Sequence, residues 1–208
     1  MSLGNGNPKH GDKGSNFDFE HRVLKGMTAI AEAMENTPHN YGLFSQTQTS
    51  TPVAATTTEG SIIGTGVGQL SVPADVFAVG DSFHLKAGGH ISCANSETLE
   101  IRIKTNGIVL ADTGVMTLNA TSNDFWEIEA DFVIRQIGGA GVAQILSNGQ
   151  FVYVRSTNLN YDGSGFNTLE TTNFDTTILN TLEITAQWGS NNAANTIVSD
   201  VLTLIKTF

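Results

Sequence analysis

Apolar and polar residues alternate along much of the chain, and this pattern predicts β-strands with one face in a core. The clearest example runs from Phe125 to Ile137. A two-residue period places successive side chains on opposite faces of a strand, so every second residue here points inward. The inward positions are Trp126, Ile128, Ala130, Phe132 and Ile134.

Residues 181–208 predict two more strands around a polar connection. The first strand has an apolar face, and residues 197–208 return with many β-branched side chains. Residues 189–195 are Gly, Ser, Asn and Ala, which predicts a turn that packs against nothing. We expect the two strands to form a closing antiparallel pair, which must bury its apolar face against another sheet. The inward face of the first strand holds Leu182, Ile184, Ala186 and Trp188.

Short turns separate the other alternating segments, which include Ser82–Cys93. Asn106-Gly107 is the strongest hairpin signal, because Asn and Gly tolerate the positive φ angles of a tight two-residue turn. Gly138–Gly141 and Asn148-Gly149 predict two further turns, and residues 156–173 predict a long loop. The result is eight to ten strands with no helix between them. The fold class predicted is therefore all-β, a jelly-roll-like antiparallel β-sandwich.

One helix is predicted, from Phe17 to about Glu35, after a flexible arm of residues 1–16 that is rich in Gly and Asn. The helix ends before Pro38, because the residue preceding a proline disfavours helical angles. Its apolar residues recur at spacings of four, four, three and four, which draws one stripe along the helix. The stripe consists of Phe19, Val23, Met27, Ile30 and Met34.

These elements divide the chain into three parts. Residues 1–37 are an arm and an anchoring or oligomerisation helix, residues 38–60 are a Thr/Ser-rich linker or edge segment, and residues 61–208 are the β-sandwich. Three uses of the helix stay open: packing on its own sandwich, self-association in a short parallel bundle, and docking in a larger assembly. Its position between two polar segments favours docking or self-association, since a lone helix of this length is marginal in water. Lys9 and Lys13 are expected to assist docking on an acidic partner.

The distribution of acidic and basic residues limits the kinds of partner that the chain can bind. Residues 1–25 hold four bases against three acids, whereas residues 26–208 hold six bases against seventeen acids. An acidic body disfavours nucleic-acid binding, which needs a basic face. The chain also lacks the roughly 20 apolar residues of a membrane span and the apolar core of a signal peptide. We therefore expect no nucleic-acid partner, no membrane and no Sec-type export.

No residue pattern predicts an enzyme, a cofactor or a metal site. Cys93 continues an apolar row and is expected to be a small buried residue. Glu127, Glu129 and Asp131 line one strand face. A solvated face is the expected role of that row, with a cation site and a glycosidase pair as alternatives. Residues 162–165 resemble a calcium-loop fragment, but a surface turn is expected because other carboxylates are missing.

Aromatic residues in the long loop supply the one candidate ligand site. Tyr161 and Phe166 lie among polar and glycine residues. An exposed aromatic ring with polar neighbours is typical of sugar recognition, since the ring stacks on the apolar face of the sugar. Trp126 and Trp188 stand in inward positions and are expected in the core instead.

Two segments resemble known proteins. Gly4–Lys9, Gly11–Phe17 and the helix that follows are similar to the N-terminal segment of structural proteins of tailed bacteriophages that infect Bacteroidota, including crAss-like phages. Residues 181–208 resemble the closing hairpin of phage virion jelly-roll modules in fibres, decoration proteins and appendage tips. The two segments together cover about 60 of the 208 residues.

The resemblance implies a non-enzymatic virion structural protein, made in the host cytoplasm. It would be a homotrimeric head fibre or capsid decoration protein, held to other capsid or tail proteins by its N-terminal arm. No long coiled coil or triple-helical repeat is present, so any shaft is short. The alternative is a module of a phage tail or fibre that attaches to the host by binding a carbohydrate or another receptor.

Overall fold

The computed structural model describes Lys25 and residues 41–156, 159–170 and 173–208. This part of the chain is all-β, as predicted, and its antiparallel sheets form a sandwich. Apart from Lys25, the arm and the predicted helix lie outside the described residues, and with them Lys9, Lys13 and the stripe of Phe19, Val23, Met27, Ile30 and Met34.

Fourteen strands form in the described ranges, more than the eight to ten predicted, because several strands are only two or three residues long. In chain order they are β1 (Tyr41–Gln46), β2 (Val53–Ala54), β3 (Gly60–Ser61), β4 (Gly66–Gly68), β5 (Ser71–Val72), β6 (Ser82–Cys93), β7 (Glu97–Thr105), β8 (Ile108–Asp112), β9 (Met116–Leu118), β10 (Thr121–Gln136), β11 (Gln144–Val154), β12 (Tyr161–Glu170), β13 (Asn180–Trp188) and β14 (Thr196–Lys206).

The strands form two sheets. The larger has the order β12-β11-β10-β6-β14-β1-β4, with β2 also paired to β14. The smaller has the order β3-β13-β7-β8, with β5 and β9 paired to β13 and β7. Every pairing seen among the described strands is antiparallel. The sheets face one another across a single apolar core.

The pairings are nested in the manner of a jelly roll. β1 pairs with β14, β3 with β13, β6 with β10, and β7 with β8. Successive pairs alternate between the larger and the smaller sheet, so a long antiparallel ribbon is rolled into a sandwich. Strands β11 and β12 continue the larger sheet beyond β10.

The alternating rows occupy the predicted faces. The inward row of β10, from Trp126 to Ile134, is buried throughout, and β7 contributes three more buried apolar residues. Trp126 and Trp188 are 0% and 1% exposed, which confirms the prediction that both belong to the core. Each indole N–H donates to a backbone carbonyl, so the polar atom of the ring is satisfied after burial.

The prediction of a closing antiparallel pair is wrong. β13 lies in the smaller sheet and β14 in the larger one, so residues 189–195 cross from one sheet to the other. Alternation makes each strand one-sided, and the two strands satisfy that pattern by covering the same core from opposite sides. Each pairs with strands that lie far away in sequence: β13 with β7, and β14 with β6.

The structure also differs from the prediction at one turn and at one loop. Asn148-Gly149 lies inside the continuous strand β11, where both residues pair with β10. The long loop predicted for residues 156–173 contains β12, which pairs with β11 over ten residues. By contrast, Asn106-Gly107 connects β7 to β8 with φ angles of 49° and 78°, which confirms the hairpin.

The segment predicted as a linker or edge contains three strands. β1 pairs with β14 on one side and β4 on the other, so it lies near the end of the larger sheet. β2 pairs with β14, whereas β3 pairs with β13 of the smaller sheet. Residues 41–61 therefore contribute backbone hydrogen bonds to both sheets.

Candidate functional site

The outward face of the larger sheet carries a row of paired charges. Glu127 and Glu129 stand on β10, and the Lys86 amine on β6 lies 2.8 Å from a carboxylate oxygen of each. Hydrogen bonding to Glu127, followed by that to Glu129, raises the pKa of Lys86 to about 12. The same contact lowers the pKa of Glu129. Lys86 thus bridges the two carboxylates side by side on a face that is open to solvent, in agreement with the solvated face expected for this row.

Two histidines pair with carboxylates on the same face. His84 Nδ1 lies 2.9 Å from Asp131 Oδ1, and His90 Nδ1 lies 2.8 Å from Asp200 Oδ2. Among the described residues, no three His, Cys, Asp or Glu side chains come together as metal ligands. Asp131, the third carboxylate of the acidic row, is paired with His84, just as Glu127 and Glu129 are paired with Lys86.

Apolar side chains share this outward face with the paired charges. Val201 on β14 and Val67 on β4 are exposed, and Ile205 on β14 is half-buried. The free-energy cost of burying such a face is lower than for a face with unpaired charges, because each ion keeps its oppositely charged partner when water is removed. The arrangement suits contact with another protein surface.

An aromatic pair lies at the corner of this face. Tyr161 begins β12 and is 66% exposed, and Phe125 on β10 is 43% exposed. Their ring centroids are 6.4 Å apart at an interplanar angle of 89°, an edge-to-face contact. Phe125 joins Tyr161 in the candidate ligand site, although the sequence analysis did not predict it there. Its signal was its position next to Trp126, out of the inward register.

Hydrogen-bonding groups surround the aromatic pair. Asp124 accepts from the Ser156 hydroxyl and from the Thr121 hydroxyl at 2.9 Å. The bond from Ser156 is the largest cause that lowers the pKa of Asp124, so this carboxylate is ionised beside Phe125. His90 pairs with Phe125 across the strands. In such a site the exposed rings can stack on the apolar face of a ligand, and the fixed polar groups can form hydrogen bonds with the hydroxyl groups of that ligand.

The structure separates the two residues of the predicted ligand loop. Phe166 is buried, because β12 turns it toward the core, where its ring lies against Gly149 of β11. Asp162 and Ser164 lie within β12 rather than in a surface turn. The Asp162 carboxylate accepts from Asn119 Nδ2 at 2.9 Å. Only Tyr161 of the predicted pair is available to a ligand.

The connection between β13 and β14 is a hydrogen-bonded clasp, not the unpacked turn expected. Glu97 at the start of β7 accepts from Asn195, Ser190 and Asn192. These three bonds, with that from Asn195 the largest, lower the pKa of Glu97. Asn195 is fully buried. The clasp fixes the point where the chain crosses between the sheets.

Cys93 is buried, as predicted. Its thiol lies 3.4 Å from the carbonyl oxygen of Asn119. Burial raises the pKa of the thiol to about 11, so the thiol is protonated at neutral pH. A protonated, buried thiol is a poor nucleophile.

A small apolar cavity of about 60 Å³ lies between the sheets. Its walls are almost wholly apolar and include Phe77, Phe83 and Phe174, whose rings meet edge to face. The cavity lies where β6 and β13 begin.

Among the described residues, no helix is long and apolar enough to cross a bilayer.

Comparisons with known proteins give little. No family model and no curated protein matches the chain. One solved structure, the CBM2 module of the evolved Dit of Lactobacillus casei BL23 phage J-1, is similar over 66% of this chain at 8% identity, with a TM-score of 0.25. The match spans 66% of that module. Similarity at this level carries no argument, so the phage relationship stays a prediction from the sequence.

Proposed function

We propose that this chain is a non-enzymatic virion structural protein. It forms a homotrimer, the N-terminal arm and helix anchor it to capsid or tail proteins, and the jelly-roll sandwich projects as a decoration protein or short head fibre. The resemblance of residues 3–34 and 181–208 to phage structural proteins supports the assignment. The jelly-roll nesting is compatible with it.

The outward face of the larger sheet is the observation that carries the proposal. Lys86, His84 and His90 each have an acidic partner on that face. Val67 and Val201 stand exposed beside these pairs. A face that combines matched charges with exposed apolar side chains is suited to burial between copies of the chain.

Light scattering of the full chain tests the trimer. We expect a mass of three chains for the wild type, given 22.1 kDa for one chain. Val201→Glu should shift the protein toward monomer, because it buries an unpaired charge in the interface. Val115→Glu, which changes an exposed valine outside that sheet, is the matched control. A wild-type monomer would remove the trimer from the proposal.

Identification of the chain in purified particles by mass spectrometry tests the virion assignment itself. We expect the chain at a fixed stoichiometry to the major capsid protein. Its absence from purified particles would overturn the assignment.

A second candidate function is recognition of a host-surface carbohydrate at Phe125 and Tyr161. The edge-to-face pair and its polar surroundings favour this function, and the same molecule can serve both as a structural protein and as a receptor-binding module. The ligand would be a glycan with an apolar sugar face, since exposed rings bind sugars by stacking.

Glycan-array binding tests this candidate. Tyr161→Ala should abolish binding, whereas Tyr41→Ala, a change at a similarly exposed tyrosine on β1, should leave it intact. Equal binding by the wild type and Tyr161→Ala would remove the aromatic pair as the site. The same chain incubated with host polysaccharide should release no product, as expected of a protein that is not an enzyme.

A further inference from the structure

A chain of hydrogen bonds holds the imidazole ring of His90 on the outward face of the larger sheet. The Thr49 hydroxyl donates to Asp200 Oδ1 at 2.9 Å, and Asp200 Oδ2 lies 2.8 Å from His90 Nδ1. Both oxygens of the Asp200 carboxylate are therefore engaged, and one side of the imidazole is fixed. The side chain of His90 is 41% exposed, so the ring is accessible from solvent.

The contact with Asp200 determines what the other nitrogen of His90, Nε2, can bind. A carboxylate only accepts hydrogen bonds, so Nδ1 carries the proton that joins the two groups. In the neutral ring, Nε2 is then an acceptor. Within the described part of the chain, no donor is paired with Nε2. A ligand atom that binds there must therefore bring its own proton.

His90 lies directly beside the aromatic pair. It is opposite Phe125 in the register of β6 with β10, so the two side chains stand on the same face, with Cβ atoms about 4.5–5.5 Å apart. On the side away from β6, Phe125 meets Tyr161, at 6.4 Å between ring centroids. His90, Phe125 and Tyr161 thus form a row across the sheet from β6 to β12, which we call the aromatic row.

Gly88 leaves room next to His90. It stands two residues earlier on β6 and on the same outward side, but it has no side chain. Its neighbours in the register are Glu127 on β10 and Val201 on β14. No side chain therefore fills the outward face between these two residues, beside the His90 ring.

Carboxylates outnumber bases around the aromatic row. One carboxylate is bonded to His90 itself, two belong to residues adjacent in sequence to Phe125 and Tyr161, and one stands opposite Gly88. The charged groups are Asp200, Asp124, Asp162 and Glu127, with Lys86 and Arg155 as the bases that face them. No base of the described residues is paired with Asp124, which is bonded to hydroxyl groups. The surroundings are therefore negative and repel an acidic ligand.

The aromatic row and the apolar residues of the proposed trimer lie in different halves of the sheet. Phe125 and Tyr161 stand on β10 and β12, whereas Val201 and Val67 stand on β14 and β4. His90 on β6 lies between the two groups, and the rim of a protein interface is polar and accessible to solvent. The proposed trimer is therefore compatible with a ligand at the aromatic row.

We propose that His90 is the hydrogen-bonding residue of the site at Phe125 and Tyr161, and that the ligand is an uncharged glycan. This inference rests on the second candidate function and adds the class of sugar. The rings stack on the apolar face of a sugar, and Nε2 of His90 accepts from one of its hydroxyl groups. The carboxylate of an acidic sugar has no proton to donate to Nε2 and meets negative surroundings. Asp200 is a positioning residue, because it acts through the His90 ring.

A glycan array with matched neutral and acidic sugars tests the ligand class. The full chain is applied at pH 8 to oligosaccharides of glucose, galactose and mannose, and to the corresponding oligosaccharides of glucuronic, galacturonic and mannuronic acid. We expect the bound glycans to be neutral, with at least tenfold weaker binding of the matched uronic acid. Equal or stronger binding of the uronic acids would overturn the proposal.

Substitutions at His90 test the acceptor nitrogen. His90→Asn keeps a polar group next to Asp200 but has none at the place of Nε2, so the affinity for the strongest neutral glycan of the array should fall at least tenfold. His90→Gln extends its amide toward that place and should recover part of the loss. His84→Asn is the matched control and should bind as the wild type does, because His84 makes the same kind of contact with Asp131 six residues away on the same strand.

The variants are compared at equal mass by light scattering and at equal thermal unfolding midpoints, so that neither assembly nor folding accounts for a difference in affinity. An affinity of His90→Asn equal to that of the wild type, or an equal loss for His84→Asn, would overturn the proposal.

The tautomer of His90 tests the positioning role of Asp200. In protein whose histidines carry isotopic nitrogen, NMR at pH 8 should show a proton on Nδ1 of His90 and none on Nε2. Asp200→Asn should shift the ring toward the form protonated on Nε2 and weaken glycan binding, whereas a purely structural role of Asp200 would leave the tautomer unchanged. A wild-type His90 ring with its proton on Nε2 would overturn the proposal.

Failure of the inference and failure of the candidate function give different results. If the wild-type chain binds no glycan of the array, the carbohydrate-binding candidate is overturned and the inference falls with it. If Tyr161→Ala abolishes binding but His90→Asn binds as the wild type does, the candidate function stands and the inference alone is overturned.

Discussion

The indole N–H of Trp188 donates a 2.9 Å hydrogen bond to the carbonyl oxygen of Val53, a residue 135 positions earlier in the chain. The bond lies in the buried core and joins β13 of the smaller sheet to β2, which pairs with the larger sheet. Trp126 makes the corresponding bond to the carbonyl oxygen of Val198 at 2.8 Å. The two tryptophans therefore fill the core and also satisfy backbone groups at its boundary.

Trp188→Phe should destabilise the sandwich by about 1–3 kcal/mol, because the Val53 carbonyl loses a donor in a place that water does not reach. Chemical denaturation measures the loss, with the fluorescence of Trp126 as the probe. Tyr161→Phe, which changes an exposed tyrosine and keeps its ring contact with Phe125, is the control and should shift the free energy of unfolding little. A Trp188→Phe variant as stable as the wild type would show that the bond contributes nothing.

Gly149→Ala should destabilise the protein by about 1–3 kcal/mol through overpacking. A Cβ atom at position 149 would lie 2.2 Å from the carbonyl oxygen of Glu129 and 2.5 Å from Cζ of Phe166. Gly165→Ala is the matched control, since its Cβ would approach only the Gly149 carbonyl oxygen, at 3.8 Å. Thermal unfolding compares the two variants. Similar midpoints would mean that β11 shifts to admit a methyl group.

The Glu97 clasp should make stability depend on pH. The folded pKa of Glu97 lies below its ordinary value of 4.5, so the clasp stabilises the fold above that pH and loses its effect as the pH falls through the folded pKa. Glu97→Gln should therefore unfold at a lower temperature than the wild type at pH 7, with the difference shrinking below pH 4.5.

Glu183→Gln removes one negative charge from β13 and controls for the change in net charge. Its unfolding midpoint should follow that of the wild type across the same pH range. A difference between Glu97→Gln and the wild type that stays constant down to pH 3 would contradict the assigned role of the carboxylate.

Cys93 should resist thiol reagents in the folded protein, because its pKa is raised to about 11 and its side chain is buried. Labelling with a chromogenic disulfide at pH 8 should proceed only after denaturant is added, to one thiol per chain. Complete labelling within minutes under native conditions would show that the strands around Cys93 open readily.

The sequence alone predicts which face of each long strand is buried and which is exposed. Burial of the row from Trp126 to Ile134 follows from the two-residue period, and the turn at Asn106-Gly107 follows from the φ angles these residues accept. Such signals are local, because they depend on neighbouring residues and the backbone alone. They suffice for an all-β fold, for the inward faces and for a core position of Cys93.

The tertiary structure alone decided which strands are neighbours. Alternation says that β13 and β14 each have an inward face, but two strands satisfy that equally well side by side or on opposite sheets. Long-range pairing with β7 and β6 separates them. The Glu97 clasp at their crossing was unpredictable for the same reason, since Glu97 lies about a hundred residues from Asn195.

The candidate ligand site was likewise predicted only in part from the sequence, and the rest depends on tertiary contacts. Tyr161 was predicted to be exposed among polar groups, and it is, but its partner is Phe125 rather than Phe166. Asn148-Gly149 predicts a turn locally, yet the missing side chain of Gly149 makes room for the Phe166 ring. Periodicity determines which way a side chain points. Which side chain lies opposite depends on contacts between residues far apart in the sequence, and these form only when the sheets pack.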